Sequence, residues 1–273
     1  MKATETATKH PLRQRGLGSL LGELLYRIYQ LFIALPLGIV ATIITAFTTV
    51  IGCSLGNGHF WGYYPGHCWG RVILWLLLLP VRVEGQKQLE KDQSYVFVAN
   101  HQGAIDIFLI YGWLGRNFKW MMKQSLRKMP FVGWACEKSH QIFVNKHGVS
   151  NIKKTYDDAR RTLQGGTSVT VFPEGSRTFT GHMAHFKKGA FALADELQLP
   201  VVPLTINGSF NVLPRMRDGR FVRWHRLSLT IHQPIYPVGQ GQENIQATMA
   251  QAYDSVMSAL APEYQGYEEN PDQ

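Results

Sequence analysis

The sequence predicts an α/β fold: a mixed, largely parallel sheet covered by helices, behind an N-terminal hydrophobic helical region suited to anchoring in a membrane. Three observations carry this. After Pro80, short β-branched and aromatic runs alternate with segments of helical period, the pattern of strands joined by helical crossovers. Before Pro80, no Asp, Glu, Lys or Arg occurs from Ile28 to Gly70. Finally, 273 residues of which 45% are hydrophobic suffice for one large core. The chain divides into an amphipathic and hydrophobic anchor at 1–79, a domain at 80–262 and a loose acidic tail at 263–273.

Taken in order, the first fifteen residues are polar and basic, with Lys2, Lys9, Arg13 and Arg15. Leu17 to Gln30 reads as an amphipathic helix, with Leu20, Leu21, Leu24, Leu25 and Ile28 on one face and Glu23 and Arg27 on the other. Leu31 to Cys53 is long enough to span a hydrocarbon core, although Pro36 and several threonines dilute it. A glycine- and aromatic-rich turn follows at 56–66, then a second apolar run, Val72 to Leu79, too short to span alone. Arg13, Arg15 and Arg27 before this region, and Arg82, Lys87 and Lys91 after it, put both flanks on the cytoplasmic side. A helical hairpin or a partly inserted pair of helices satisfies that; a buried core helix pair is the alternative.

Strands are expected at Val81–Glu84, Tyr95–Ala99, Phe118–Met121, Gln141–Val144, Thr167–Phe172, Val201–Ile206 and Leu227–Ile231. Pro203 argues for an edge or a bulge in its strand. Helices are expected at Val149–Leu163 and Asn244–Leu260, each with an apolar stripe, and at Lys188–Leu197.

The formal net charge of +9 suits nucleic acid, an anionic membrane or an anionic substrate. No zinc-finger, RNP or basic-zipper pattern is present, so nucleic acid is not an expected partner. Cys53, Cys68 and Cys136 form neither a metal spacing nor a disulfide framework. His182 and His185 lie in a polar segment and read as a solvated pair; no metal and no cofactor are expected.

Two stretches carry chemistry. Asn100-His101-Gln102-Gly103-Ala104-Ile105-Asp106 follows a strand and precedes an apolar helix, at the sheet end where ligands gather in open α/β folds. On one regular helix His101 and Asp106 would lie about 140° apart. They can meet only if His101 sits in the preceding turn and Asp106 points back. A carboxylate on one imidazole nitrogen leaves the other as a base able to take an alcohol proton. The bland alternative is a histidine bonded locally, with Asp106 as a helix cap. The second stretch, Phe172-Pro173-Glu174-Gly175-Ser176-Arg177, again follows a strand. Pro173 and Gly175 shape a sharp turn from which Glu174 and Arg177 can project into one crevice.

With these motifs in this order, the chain resembles the glycerolipid acyltransferase family, in particular bacterial-type 1-acylglycerol-3-phosphate acyltransferases. Asn100, His101 and Asp106 match its first motif and Phe172 to Arg177 its third. Phe143-Val144-Asn145-Lys146 fills the second, with Lys146 where arginine is usual. Val202-Pro203-Leu204-Thr205-Ile206 fills the fourth. Phe186 to Phe191, Met121-Met122-Lys123 and Pro130 to Gly133 also match, and the resemblance covers residues 80 to 235. It implies transfer of a fatty acyl group from acyl-CoA or acyl-carrier protein to the free glycerol hydroxyl of a lysophospholipid, with lysophosphatidic acid first. In that reading His101 and Asp106 are catalytic. Asn100, Glu174, Gly175 and Ser176 contact substrate. Lys123, Lys146 and Arg177 hold its phosphate, and Glu174 holds the glycerol. The resemblance also implies a phospholipid membrane, at the cytoplasmic face of a bacterial inner membrane. Other lysolipid acceptors (lyso-ornithine lipid, lysophosphatidylinositol or lysocardiolipin) and a non-catalytic lipid-binding protein are the alternatives. A soluble hydrolase is disfavoured because no Gly-x-Ser-x-Gly follows a predicted strand.

Overall fold

The computed structural model describes residues 17–144, 149–163, 165–217 and 220–268. Seven strands form one sheet: β1 (Val81–Glu84), β2 (Val96–Ala99), β3 (Phe118–Lys123), β4 (Ile142–Val144), β5 (Ser168–Val171), β6 (Val201–Asn207) and β7 (Leu227–Ile231). Their order is β1-β7-β6-β2-β5-β3-β4. Among the described residues only the β6–β7 pairing is antiparallel, so the sheet is mixed and largely parallel, as the sequence predicts.

Strand period explains the two-sided core. In β2 and the residue before it, Tyr95, Phe97 and Ala99 face one layer while Val96 and Val98 face the other. Both faces are covered, so β2 and β5 are buried at every position. The first layer contains α4 (Tyr64–Leu76) and α5 (Ile105–Trp113). These two cross closely: a methyl group on Gly70 would lie 2.6 Å from the Phe108 carbonyl oxygen. The second layer contains α7 (Val149–Thr162), α8 (Gly189–Leu197) and α10 (Gln242–Ser258).

Pro203 does not mark an edge, because β6 lies inside the sheet between β7 and β2. The ladder is irregular beside it instead. Leu204 pairs with Ile231 and Val201 with Ile235, so one extra residue sits on the far strand opposite Pro203. That bulge lets a residue with no N–H occupy an interior strand.

At the N-terminus, α1 (Leu17–Tyr29) and α2 (Leu35–Leu55) join through a π-helical turn at Gln30–Ala34. Leu20–Leu55 is one helix long and apolar enough to cross a membrane, and the leucine face of α1 is exposed. This helix runs along the body and does not project from it. Near its start the Gln30 amide bonds to Val222, and toward its end Gly52 packs under Trp61, a residue of the short α3 (Gly58–Trp61). The second apolar run belongs to the end of α4 and the turn after it, with Leu74 and Leu79 in the core. The threonines of α2 also have uses. Thr42 donates to the Gly38 carbonyl and accepts from Trp69 Nε1, and Thr49 is buried.

Candidate active site

β2, β5, β3 and β4 run parallel, so their carboxyl ends lie along one edge, together with that of β6. Asn100 is the first residue beyond β2. Its side chain donates to the Ile206 carbonyl at 2.9 Å and accepts from the Ile206 amide at 2.7 Å. Both polar ends of a buried side chain are thereby committed to β6. These bonds fix the strand end that carries His101.

His101 Nδ1 lies 2.8 Å from Asp106 Oδ2. The helical-spacing problem is solved by the turn: His101 to Gly103 precede α5, and Asp106 stands in its first turn. The same Oδ2 accepts from the backbone amides of Gln102 at 2.8 Å and Gly103 at 2.9 Å, while Oδ1 accepts from the Ser209 hydroxyl. Asp106 is fully buried and both caps the turn and orients the imidazole, so the two readings of this pair hold together. With Nδ1 donating to a carboxylate, Nε2 is the nitrogen able to accept a proton. The imidazole lies on Phe172, with centroids 3.8 Å apart and planes 8° apart, and Phe172 stacks on Trp120 at 5.3 Å. This stack fixes the ring plane.

The Glu174 carboxylate is buried, with Oε1 accepting from the His101 amide at 2.7 Å and Oε2 from the Ala184 amide at 2.9 Å. It ties the two motif loops together. Burial pushes its carboxyl up to about 8, against the downward pull of the Ala184 and His101 amides. A second tie joins the loops where the Thr178 amide donates to the His101 carbonyl at 3.0 Å. Gly175, Ser176 and Arg177 are half-buried on the rim of this turn. Gly175 has φ of +82°, and a Cβ there would come 2.9 Å from Lys187 Nζ.

The cations are spread more widely than the motif order suggests. Arg177 adjoins Thr178 and hence the His101 backbone. Lys123 is exposed at the end of β3, which the sheet order separates from β2 by β5. Lys146 lies outside the described residues. His182 and His185 form no metal centre: among the described residues no group of three or more His, Cys, Asp or Glu is placed to hold an ion. A polar cleft of about 790 Å³ borders the β3–β4 edge and does not include His101. Lys119 lines it, and burial pulls that lysine down to about 8.

Several site residues were not visible in the sequence. Ser209, the partner of Asp106, follows Gly208 at the end of β6, in α9 (Ser209–Val212). A strand ending in Gly-Ser was the available signal. The Phe172–Trp120 stack needed the β5–β3 pairing. The acidic tail, expected to be loose, is docked as far as Glu268. That carboxylate accepts from the Phe179 amide at 3.0 Å, the Thr178 hydroxyl at 2.6 Å, the Thr180 amide at 3.0 Å and the Thr180 hydroxyl. Burial alone would raise its pKa, but the hydrogen bonds from Thr178, Thr180 and Phe179 outweigh this and hold it below the ordinary carboxylate value. Glu268→Ala should loosen residues 178–180 beside Arg177, a loss of about 1–2 kcal/mol of ordering. Limited proteolysis checks this; an unchanged cleavage pattern would make the tail contact incidental.

Comparison with known proteins bears on the whole of this edge. The acyltransferase family model matches residues 80–207. A 1-acyl-sn-glycerol-3-phosphate acyltransferase of Chlamydomonas reinhardtii is 31% identical over 187 residues, covering 68% of this chain and 54% of that protein. One of Saccharomyces cerevisiae is 30% identical over 208 residues, covering 70% of this chain and 63% of that protein. The chain thus spans between half and two-thirds of the length of these two relatives. The crystal structure of the 1-acyl-sn-glycerophosphate acyltransferase of Thermotoga maritima superposes with a TM-score of 0.69 at 26% identity, covering 87% of this chain and 94% of that one.

Proposed function

We propose that this chain, which an acyltransferase family model matches over residues 80–207, moves a fatty acyl group from acyl-CoA or acyl-carrier protein to the free glycerol hydroxyl of a lysophospholipid. Lysophosphatidic acid is the proposed acceptor and phosphatidic acid the product. The relatives in the alga, the yeast and Thermotoga maritima bear names of this activity. The observation that carries the reading is the His101–Asp106 pair, set at a strand end and held in plane by Phe172.

His101 Nε2 takes the hydroxyl proton as the acceptor oxygen attacks the thioester carbonyl carbon. A C–O bond forms, the C–S bond breaks, and the imidazolium returns its proton to the departing sulfur. No acyl-enzyme is required. Asp106 stabilises the imidazolium and keeps its orientation. The acceptor phosphate meets Arg177, whose planar guanidinium can grip two phosphate oxygens, with Lys123 and Lys146 adding charge. The exposed apolar face of Leu20–Leu55 supports membrane association, and we place the domain on the cytoplasmic face, where both donors are found.

The test is an acceptor panel on purified protein with one acyl-CoA, comparing wild type with Arg177→Ala. Charge-assisted contacts are worth roughly 1.5–3 kcal/mol, so the variant should raise the lysophosphatidic acid KM by about tenfold or more and leave the donor KM nearly unchanged. An unchanged acceptor KM, or a wild-type preference for a lysolipid without phosphate, would replace this acceptor with one of the lyso-ornithine type.

A further inference from the structure

A basic and aromatic stretch links the third motif to the N-terminal helix. Residues 215–226 read Arg-Met-Arg-Asp-Gly-Arg-Phe-Val-Arg-Trp-His-Arg, five arginines against one aspartate. Arg220, Phe221, Arg223, Trp224 and Arg226 are all exposed, Trp224 to 56%. Large apolar side chains interleaved with arginines are poorly suited to water alone. They suit the boundary of a bilayer, where an indole rests at headgroup depth and guanidinium groups meet lipid phosphates.

The tethers of this stretch say where it lies. The Gln30 side chain, within the apolar helix, donates to the Val222 carbonyl at 3.0 Å and accepts from the Val222 amide at 2.9 Å. Trp224 Nε1 donates to the Leu78 carbonyl at 2.8 Å, and the Tyr29 hydroxyl donates to the neighbouring Leu76 carbonyl at 2.8 Å. Trp75 and Leu78 are themselves exposed. The end of α1 with the turn after it, the end of α4 and residues 220–226 therefore adjoin one another. At the other end of the stretch, the Arg215 guanidinium donates to the Arg177 carbonyl at 3.4 Å.

We infer that residues 220–226 form an interfacial lip that binds an anionic phospholipid bilayer, with Phe221 and Trp224 at the hydrocarbon boundary and Arg220, Arg223 and Arg226 on lipid phosphates. This deepens the acyltransferase reading, on which it rests, by naming the surface from which the acceptor lipid is taken. An acidic carrier protein would also attract the arginines. Continuity with the apolar helix and the exposed Phe221 and Trp224 favour the bilayer.

The test uses full-length protein in vesicles of phosphatidylcholine alone or mixed with equimolar phosphatidylglycerol. Lipids brominated near the headgroup end of the chain quench nearby tryptophans. The chain has 7 tryptophans, so the difference between wild type and Trp224→Phe isolates this one. Shallow-brominated lipid should quench wild type more than Trp224→Phe; equal quenching would overturn the lip. Independently, wild type should show a lower apparent acceptor KM in the anionic vesicles. Arg220→Gln/Arg223→Gln/Arg226→Gln should lose about tenfold of that advantage. If the triple variant kept the full advantage, or raised only the KM for acyl-carrier protein, the arginines would not serve a bilayer and the proposal would fall. Turnover of a short-chain, water-soluble lysophosphatidic acid in detergent reports the acyltransferase reading separately. Wild type inactive there would sink that reading without touching the quenching result.

Discussion

Replacing His101 with alanine should lower kcat for acyl transfer by about 10²–10⁴-fold, the usual share of a positioned general base, while the acceptor KM changes little. His101 is the group whose Nε2 faces the reaction once Nδ1 is committed to Asp106. The side chain is not part of the hydrophobic core, and the backbone ties at His101, from its amide to Glu174 and to its carbonyl from Thr178, survive the change. A folded His101→Ala protein with near-normal turnover would remove the general base from the mechanism and favour a non-catalytic lipid-binding role. Asp106→Asn should cost activity less directly but stability more. Its Oδ2 accepts three hydrogen bonds, two from backbone amides, and a buried amide donor in that place leaves at least one N–H unsatisfied. Thermal melting beside kinetics separates the two effects.

Glu174→Gln should prove nearly as damaging, for a different reason. Each carboxylate oxygen accepts one backbone amide, from His101 and from Ala184. Above about pH 8, where Glu174 is ionised, glutamine keeps one acceptor and turns an NH₂ toward the other amide, so that a buried donor meets a donor. The cost is about 1–3 kcal/mol of stability, together with a displaced His101 backbone and a large loss of kcat. If Glu174 instead gripped the acceptor, the variant would raise KM and leave the melting temperature alone. The pH dependence gives a second check. Burial raises the folded-state carboxyl from the ordinary 4.5 to about 8, so the native protein binds this proton more tightly than the unfolded chain. Its contribution to stability is fully present below about 4.5 and declines as pH rises toward 8. Wild type should lose that increment across the window, and Glu174→Gln should not.

Read from residues alone, the sheet and the two motif turns were accessible because each is a local pattern. Tyr95 to Ala99 alternates between two layers, Val149 to Leu163 repeats with helical period, and both motif turns follow strands. Gln30, Thr42 and Thr49 were harder to place, since a polar residue in an apolar helix reads as dilution until its partner arrives from elsewhere. Those partners are Val222 for Gln30 and Trp69 for Thr42. The packing of the second apolar run was not legible, because length and hydropathy do not distinguish a lipid-facing helix from one packed on α5 through Gly70.

The sequence by itself determined the fold class, the charge-free N-terminal helix, and the presence of a histidine, a carboxylate and an arginine at strand ends, because periodicity and turn chemistry act over a few residues. Which way those side chains point was decided only by tertiary structure. Asn100 turns to Ile206, 106 residues away, and Glu174 to the His101 amide, 73 residues away. Ser209 reaches Asp106 and Glu268 reaches Thr178 over similar separations. A buried polar atom must find a partner, and the cost of leaving it without one is what selects among the orientations that local sequence allows. That selection makes Asn100 and Glu174 groups that hold His101 in place.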